Sequence, residues 1–271
     1  MRSGRTRLVM VAMVIVLAGL VAGRRLLRRE WRALVATAVR ALTGDGSVVV
    51  VLGDSNSCGW GSGCDHNTYF WPGRRALPGG WRMDNTALPG MGASEHYVCS
   101  KDSHHACRTH AECGADDTCI AGTLADGLPG SGSWRVDRII AKYAPARRHS
   151  CTLAALGAAP QLVLALGTID IVASPGALVG QRVLMLYDRA RAGLPCFDVY
   201  LATLPPRGRD DQTAVQQANA TIRNGMEARG TVARIVPFDQ QTTDDLGPDG
   251  VHMAAAGQEH RASLAFAALG W

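Results

Sequence analysis

Apolar residues run along this chain in two rhythms, short clusters and longer stretches that recur every three to four positions. The sharpest cluster is Val48-Val49-Val50-Val51-Leu52, which stops at Gly53-Asp54-Ser55. A β-branched run bounded by turn residues predicts a strand buried on both faces, as in the middle of a parallel sheet. Further strands are predicted at Trp81–Asn85, Leu162–Leu166, Phe197–Ala202 and Val232–Val236. Helical spacing appears at Val136, Ile139, Ile140 and Tyr143 behind Ser133 as N-cap, at Val179, Val183, Leu186 and Ala190, and at Val215, Ala218, Ile222 and Met226. A closing helix is predicted over Ala254–Leu269, and a short helical piece near Pro72–Leu77. Strands alternating with helices imply right-handed crossovers and a parallel sheet covered on both sides. The expected fold class is therefore α/β, with about five parallel strands.

The first 43 residues follow a different pattern. Leu8 to Gly23 is an unbroken apolar stretch of 16 residues between Arg7 and Arg24. It is a little shorter than the roughly 20 residues that span a bilayer comfortably, and its length overlaps the core of a signal peptide. The expectation is an uncleaved membrane anchor, with cleavage near Ala22 or Gly23 as the alternative. Next, Leu27, Trp31, Leu34, Val35, Ala38 and Leu42 recur at helical spacing opposite arginines. Such a basic amphipathic helix fits a membrane surface, a stalk, or a helix packed on the domain. The chain thus divides into 1–43, anchor and basic helix, and 44–271, the folded domain.

Charge narrows the partners. The formal net charge is +5, yet residues 1–40 hold nine Arg against one Glu, so the remainder is net acidic. No basic patch interleaved with aromatics remains, which argues against a nucleic-acid partner. Three Arg precede the apolar segment and five follow it by residue 32, a bias that would place the domain in the cytoplasm.

The cysteines point the other way. There are eight, of which Cys99, Cys107, Cys113 and Cys119 sit in a polar, aperiodic stretch. That stretch reads as a disulfide-stapled insert at about 95–133, in a domain outside the cytoplasm. His104, His105 and His110 lie among these cysteines, but the close Cys pair of a structural zinc site is absent, so no metal is expected. Cys58 and Cys64 are spaced to close a small loop behind Ser55.

Two polar motifs carry candidate chemistry. Ser55 follows the first strand, and Asp249 and His252 stand three residues apart before the closing helix. Alone, the first is an ordinary turn and the second an ordinary helix start. A parallel sheet, however, brings the carboxyl ends of its strands to one edge, where ligands bind. There His252 can take the Ser55 proton while Asp249 orients the ring. No phosphate-cradling Gly-x4-Gly-Lys-Ser/Thr loop is present, so phosphoryl and flavin chemistry have little support, and no cofactor is expected.

With these residues in place, the chain resembles the GDSL/SGNH hydrolases over about 47–269 without the insert. Gly53-Asp54-Ser55 is similar to the first block of that family, Asn85-x-Ala87-x-Pro89-Gly90 to the second, Gly167-Thr168-Ile169-Asp170 to the third, and Asp249-x-x-His252 to the last. Leu204-Pro205-Pro206 resembles the usual end of the fourth strand, and Asn219–Arg223 the family's helix before the last strand. The resemblance implies a flavodoxin-like three-layer α/β/α sandwich and hydrolysis of carboxylic esters. It implies Ser55 as nucleophile, His252 as base, Asp249 as its partner, and the N–H groups of Ser55 and Gly90 as oxyanion donors. The substrate would be a small-molecule or glycan-linked ester, met in the cell envelope of a bacterium.

One departure bears on rate. The family's third block reads Gly-x-Asn-Asp, and its Asn supplies a third oxyanion donor. Here that position is Ile169, which cannot donate. Losing one such donor costs about 2.7–4 kcal/mol, or roughly 10²–10³ in turnover. Thr168 and Asn56 are the candidate substitutes. A binding module that has lost efficient catalysis is the alternative reading.

Overall fold

The computed structural model describes residues 28–43, 46–58, 77, 79–93, 97–99, 102–106, 119–121, 131–208 and 211–271. The apolar segment 8–23, residues 72–76 of the expected 72–77 piece, Cys64 and the side chains of the Cys-rich insert lie outside the described residues. No helix among the described residues is long and apolar enough to cross a membrane.

Five strands form one parallel sheet: β1 (Ser47–Gly53), β2 (Trp81–Asn85), β6 (Gln161–Ala165), β7 (Asp198–Ala202) and β8 (Ile235–Val236), in the order β2-β1-β6-β7-β8. That is the doubly wound, flavodoxin-like order, with its switch point between β1 and β6. A switch point opens a crevice at the carboxyl edge, and Gly53-Asp54-Ser55 leads into it. Three short strands, β3 (Tyr97–Cys99), β4 (Asp102–Ala106) and β5 (Cys119–Ala121), make a separate antiparallel sheet inside the insert. The insert leaves and re-enters the domain at one point, since Gly92 bridges to Ser131.

Side chains alternate across the sheet because successive residues of a strand face opposite sides. Val48, Val50, Leu52, Leu162, Leu164, Val199 and Leu201 meet α3 (Gly132–Tyr143), α6 (Gly176–Gly193) and α7 (Gln212–Ala228). Val49, Val51, Val163, Tyr200 and Val236 meet α1 (Arg28–Thr43), α4 (Arg147–Ala155) and α8 (Ala255–Leu269) on the other face. The result is three layers, helix, sheet and helix.

Several elements depart from the sequence expectation. The N-cap of α3 is Ser131, whose Oγ accepts the Trp134 N–H, rather than Ser133. The predicted strand Val232–Val236 begins as a 3-10 turn over Val232–Arg234, leaving two residues as β8. Helix α4 carried no periodic signal, because only Ser150 and Leu153 of its nine residues are buried. It is held by the disulfide Cys151–Cys196, which ties it to the turn before β7.

Helix α1 is packed on the domain. Val35 and Ala36 are fully buried, the Trp31 Nε1–H donates to the Leu156 carbonyl at 3.0 Å, and Arg32 Nη1 donates to the Leu269 carbonyl at 2.8 Å. Leu34, expected on the inward stripe, is 48% exposed.

Candidate active site

The carboxyl edge is built around the exit from β1. Gly53 is required there, since a Cβ would fall 2.3 Å from the Ser57 Oγ. Ser55 opens α2 (Ser55–Cys58), a single turn closed by the Ser57 and Cys58 N–H groups on the Asp54 carbonyl, each at 3.0 Å. The Asp54 carboxylate accepts the Asn56 N–H at 3.0 Å. This sharp turn holds Ser55 at the strand end with its side chain toward the crevice. Cys58 is buried and disulfide-bonded, its partner lying outside the described side chains.

The last loop reaches the same point. Ser55 Oγ is 3.0 Å from His252 Nε2, and His252 Nδ1 is 2.6 Å from Asp249 Oδ2. Asp249 and His252 stand before the closing helix, as the sequence predicts, and α8 begins at Ala255. Their geometry comes from a loop in which Asp249 Oδ1 accepts both the Val251 and His252 N–H groups at 2.9 Å. Such a local Asp-to-backbone turn aims the other carboxylate oxygen at the ring. Burial would raise the Asp249 carboxyl, but the hydrogen bonds from the His252 ring and the two N–H groups outweigh it and bring it down to about 2. Asp249 is therefore ionised at neutral pH and can hold the ring with Nδ1 protonated.

Asn56 joins the two loops. Its Oδ1 accepts the Met253 N–H at 3.0 Å and its Nδ2 donates to the Val251 carbonyl at 3.2 Å. Gln258 adds a bond to the Asn56 carbonyl at 3.4 Å. The carboxamide of Asn56 is thus engaged in bracing the His252 loop, which removes it as a free oxyanion donor. Thr168 is buried beside Asp54. Burial pushes the Asp54 carboxyl up, opposed by Arg261, the Thr168 side chain and the Asn56 N–H. Thr168 is therefore turned toward Asp54 rather than held in reserve for a substrate oxygen. Behind the nucleophile, burial pulls the Arg261 guanidinium down to about 10 against the opposing charge of Asp54, and its centre lies 3.8 Å over the Phe238 ring.

The second block extends along β1. Thr86 N–H and Leu88 N–H donate to the Val51 and Gly53 carbonyls at 2.8 and 3.1 Å, and Asn85 Nδ2 donates to the Ser57 carbonyl at 3.0 Å. Gly90 then turns with φ +79°, a left-handed conformation that favours glycine. Among the described residues, no turn, loop or side-chain hydrogen bond uses the N–H of Ser55 or Gly90.

Further polar contacts at this edge were not anticipated from sequence. Asp170 Oδ2 accepts the Ala93 N–H at 2.7 Å, tying the third block to the second. Arg207, buried just past Leu204-Pro205-Pro206, donates from Nη1 to the Thr168 carbonyl and sits 3.1 Å from Asp211. The next residue, Gly208, donates to the Gly250 carbonyl at 2.7 Å. Asn219 on α7 exchanges two hydrogen bonds with the Leu204 backbone, at 2.7 and 2.9 Å. Ile169 occupies the first position before the short helix α5 (Asp170–Ala173) with no polar group to offer.

No family model and no curated protein sequence matches the chain. Solved structures do. Est24, a carbohydrate acetylesterase from Sinorhizobium meliloti, aligns with TM-score 0.54 and 17% identity over 82% of this chain and 96% of its own. The psychrotrophic esterase EstA from Pseudoalteromonas sp. aligns with TM-score 0.51 and 12% identity, covering 83% of this chain and 97% of that one. A member of the lipolytic protein G-D-S-L family from Veillonella parvula aligns with TM-score 0.51 and 13% identity, covering 82% and 97%. Over most of its length the chain therefore has the fold shared by esterases and lipases of the GDSL/SGNH type.

Proposed function

We propose that this chain is a serine hydrolase of carboxylic esters, of the GDSL/SGNH type, with Ser55, His252 and Asp249 as its catalytic residues. The observation that carries the reading is the continuous relay from Asp249 to His252 to Ser55, at 2.6 and 3.0 Å. His252 Nε2 takes the Ser55 proton as Oγ attacks the carbonyl carbon. Negative charge gathers on the carbonyl oxygen, for which the Ser55 and Gly90 N–H groups are the donors. As the tetrahedral intermediate collapses, His252 protonates the departing alcohol and the acyl group stays on Ser55. Water, deprotonated by His252, then releases the acid and restores Ser55. With Ile169 in place of a third donor and with Asn56 and Thr168 engaged elsewhere, turnover is slow.

The domain works outside the cytoplasm, held at a membrane by residues 8–23. The disulfides at Cys58 and Cys151–Cys196 support an oxidising compartment. Its substrate is a small-molecule or glycan-linked ester. The acetylesterase fold neighbour supports the glycan-linked class among these.

Ile169 favours a second reading, a binding module on the same fold with little catalysis. The experiment that separates the two is hydrolysis of p-nitrophenyl acetate and butyrate by the oxidised chain from residue 28 onward, with Ser55→Ala as control, alongside labelling by a fluorophosphonate. Turnover and labelling that vanish with Ser55→Ala are expected. A folded protein with neither would leave the binding module.

A further inference from the structure

We infer that the domain stands on a lipid bilayer with its catalytic edge facing away, so that the esters it cleaves are carried in water or on a hydrated polymer and not by the lipids of the supporting bilayer. The orientation rests on the reading of residues 8–23 as a membrane anchor, and only the substrate part rests on the hydrolase reading as well.

Helix α1 docks at one edge of the sheet. Trp31 bonds to the Leu156 carbonyl, five residues ahead of β6, and Arg32 bonds to the carbonyl of Leu269, the last residue of α8. The middle of α1 presses on the turn into β2, where a Cβ on Gly80 would lie 2.4 Å from the backbone of Ala36 and Thr37. All three contacts are at the amino edge of the sheet. Ser55, His252 and the Gly90 turn are at the carboxyl edge. Seven residues of β1 separate the two edges, a rise of about 20 Å at roughly 3.3 Å per residue. Helix α8 measures the same axis independently: it starts three residues after His252, and its 15 residues rise about 22 Å to Leu269.

The tether is short. The apolar stretch ends at Gly23 and α1 begins at Arg28, leaving four residues between them. Even extended, they reach only about 17 Å from Gly23 to the helix. A docked helix also removes the freedom of a long stalk, so the amino edge is the part of the domain that meets the bilayer. Arg24, Arg25, Arg28 and Arg29 cluster at this junction, where anionic headgroups would attract them and resist tipping. The ester carbonyls of a bilayer lipid lie below the headgroups, on the far side of the domain from Ser55. A soluble ester, or an acyl group on a polymer extending from the membrane, meets the open edge directly.

The test uses the full chain in vesicles of phosphatidylcholine and phosphatidylglycerol containing a lipid with a nitroxide quencher on its headgroup. A fluorophore is placed at Glu30→Cys, exposed near the start of α1, or at Val172→Cys, 66% exposed beside the third block. The expected result is quenching at residue 30 and none at residue 172. In the same vesicles, Ser55-dependent hydrolysis is expected for p-nitrophenyl butyrate in the buffer and not for a fluorogenic phosphatidylcholine in the bilayer. The inference is overturned if the chain fails to sediment with the vesicles. It is equally overturned if the label at residue 172 is quenched like that at residue 30, or if the phospholipid is cleaved as fast as the soluble ester. Loss of both hydrolyses with the quenching pattern intact would overturn the hydrolase reading and leave the orientation standing.

Discussion

At the carboxyl edge of the sheet the joints are polar and directional: Asn56 to the Val251 and Met253 backbone, Asn219 to Leu204, Asp170 to Ala93 and Arg207 to Thr168. At the amino edge they are mainly apolar, with Val35, Ala36 and Val39 set against Trp81, Leu153 and Phe266. Apolar contact fixes how near two elements lie, but it is tolerant of angle. Hydrogen bonds fix which way a loop's atoms point. Relaying a proton across 3.0 Å requires the second kind of control, whereas holding a helix on a sheet requires only the first. Changes at the carboxyl edge should therefore alter rate at nearly constant stability, and changes at the amino edge the reverse.

The largest separation is expected from Asp249→Asn. By the precedent of serine triads, kcat for p-nitrophenyl butyrate should fall about 10⁴-fold. The melting temperature at neutral pH should hardly move, because the Asp249 side chain is half exposed and such pairs contribute little. Its pH dependence gives a second readout. The Asp249 carboxyl sits at about 2 in the folded chain against an ordinary value of 3.8. A lowered carboxyl stabilises above the unfolded value and loses that contribution as pH falls through the folded one, from about pH 4 toward pH 2. Because the group is half exposed this contribution is small, and melting curves should show a correspondingly small extra acid destabilisation in the parent and not in Asp249→Asn.

Ile169→Asn should act in the other direction. Restoring a donor beside the Ser55 and Gly90 N–H groups is expected to raise kcat about 10²–10³-fold. An unchanged or lower turnover in a folded variant would show that the two backbone donors already suffice or that the loop aims position 169 elsewhere. The amino-edge counterpart is the disulfide that pins α4. Replacing Cys151 and Cys196 together by Ser should lower stability by about 2–4 kcal/mol in denaturant titrations while leaving kcat within error.

The same contrast explains what could be read from sequence. Ser55 was legible because it closes an apolar run that ends in a short motif at the carboxyl edge of the sheet, and Asp249 and His252 because they form a short motif in the loop after the last strand. The braces were not legible. Asp170 and Ala93 are 77 residues apart, and Arg207 and Thr168 are 39 apart. Nothing in local spacing announces a side chain that bonds to a distant backbone atom. The inner strands were legible as apolar runs, whereas β8 was overextended because Val232 and Ala233 are apolar yet belong to a 3-10 turn.

Helix α1 shows a subtler miss and sets the smallest of the expected effects. Its predicted inward stripe holds at Trp31, Val35 and Ala38, which pack against the core, but Leu34 faces outward while Ala36 and Val39, outside the stripe, face inward. The close approach is made by Gly80, where a Cβ would lie 2.4 Å from the backbone of Ala36 and Thr37. A pattern of large residues cannot register a contact made by a small one. Burying a valine is worth roughly 1.5–3 kcal/mol, so Val35→Ala should lose up to about that much stability. The change Leu34→Ala, one residue away but largely exposed, should stay within about 0.5 kcal/mol. Both variants should hydrolyse p-nitrophenyl butyrate at the parental kcat, since α1 touches only the amino edge. If Val35→Ala instead slowed turnover at temperatures well below its melting point, the two edges would be mechanically coupled through β1, and the division between proximity at one end and direction at the other would fail.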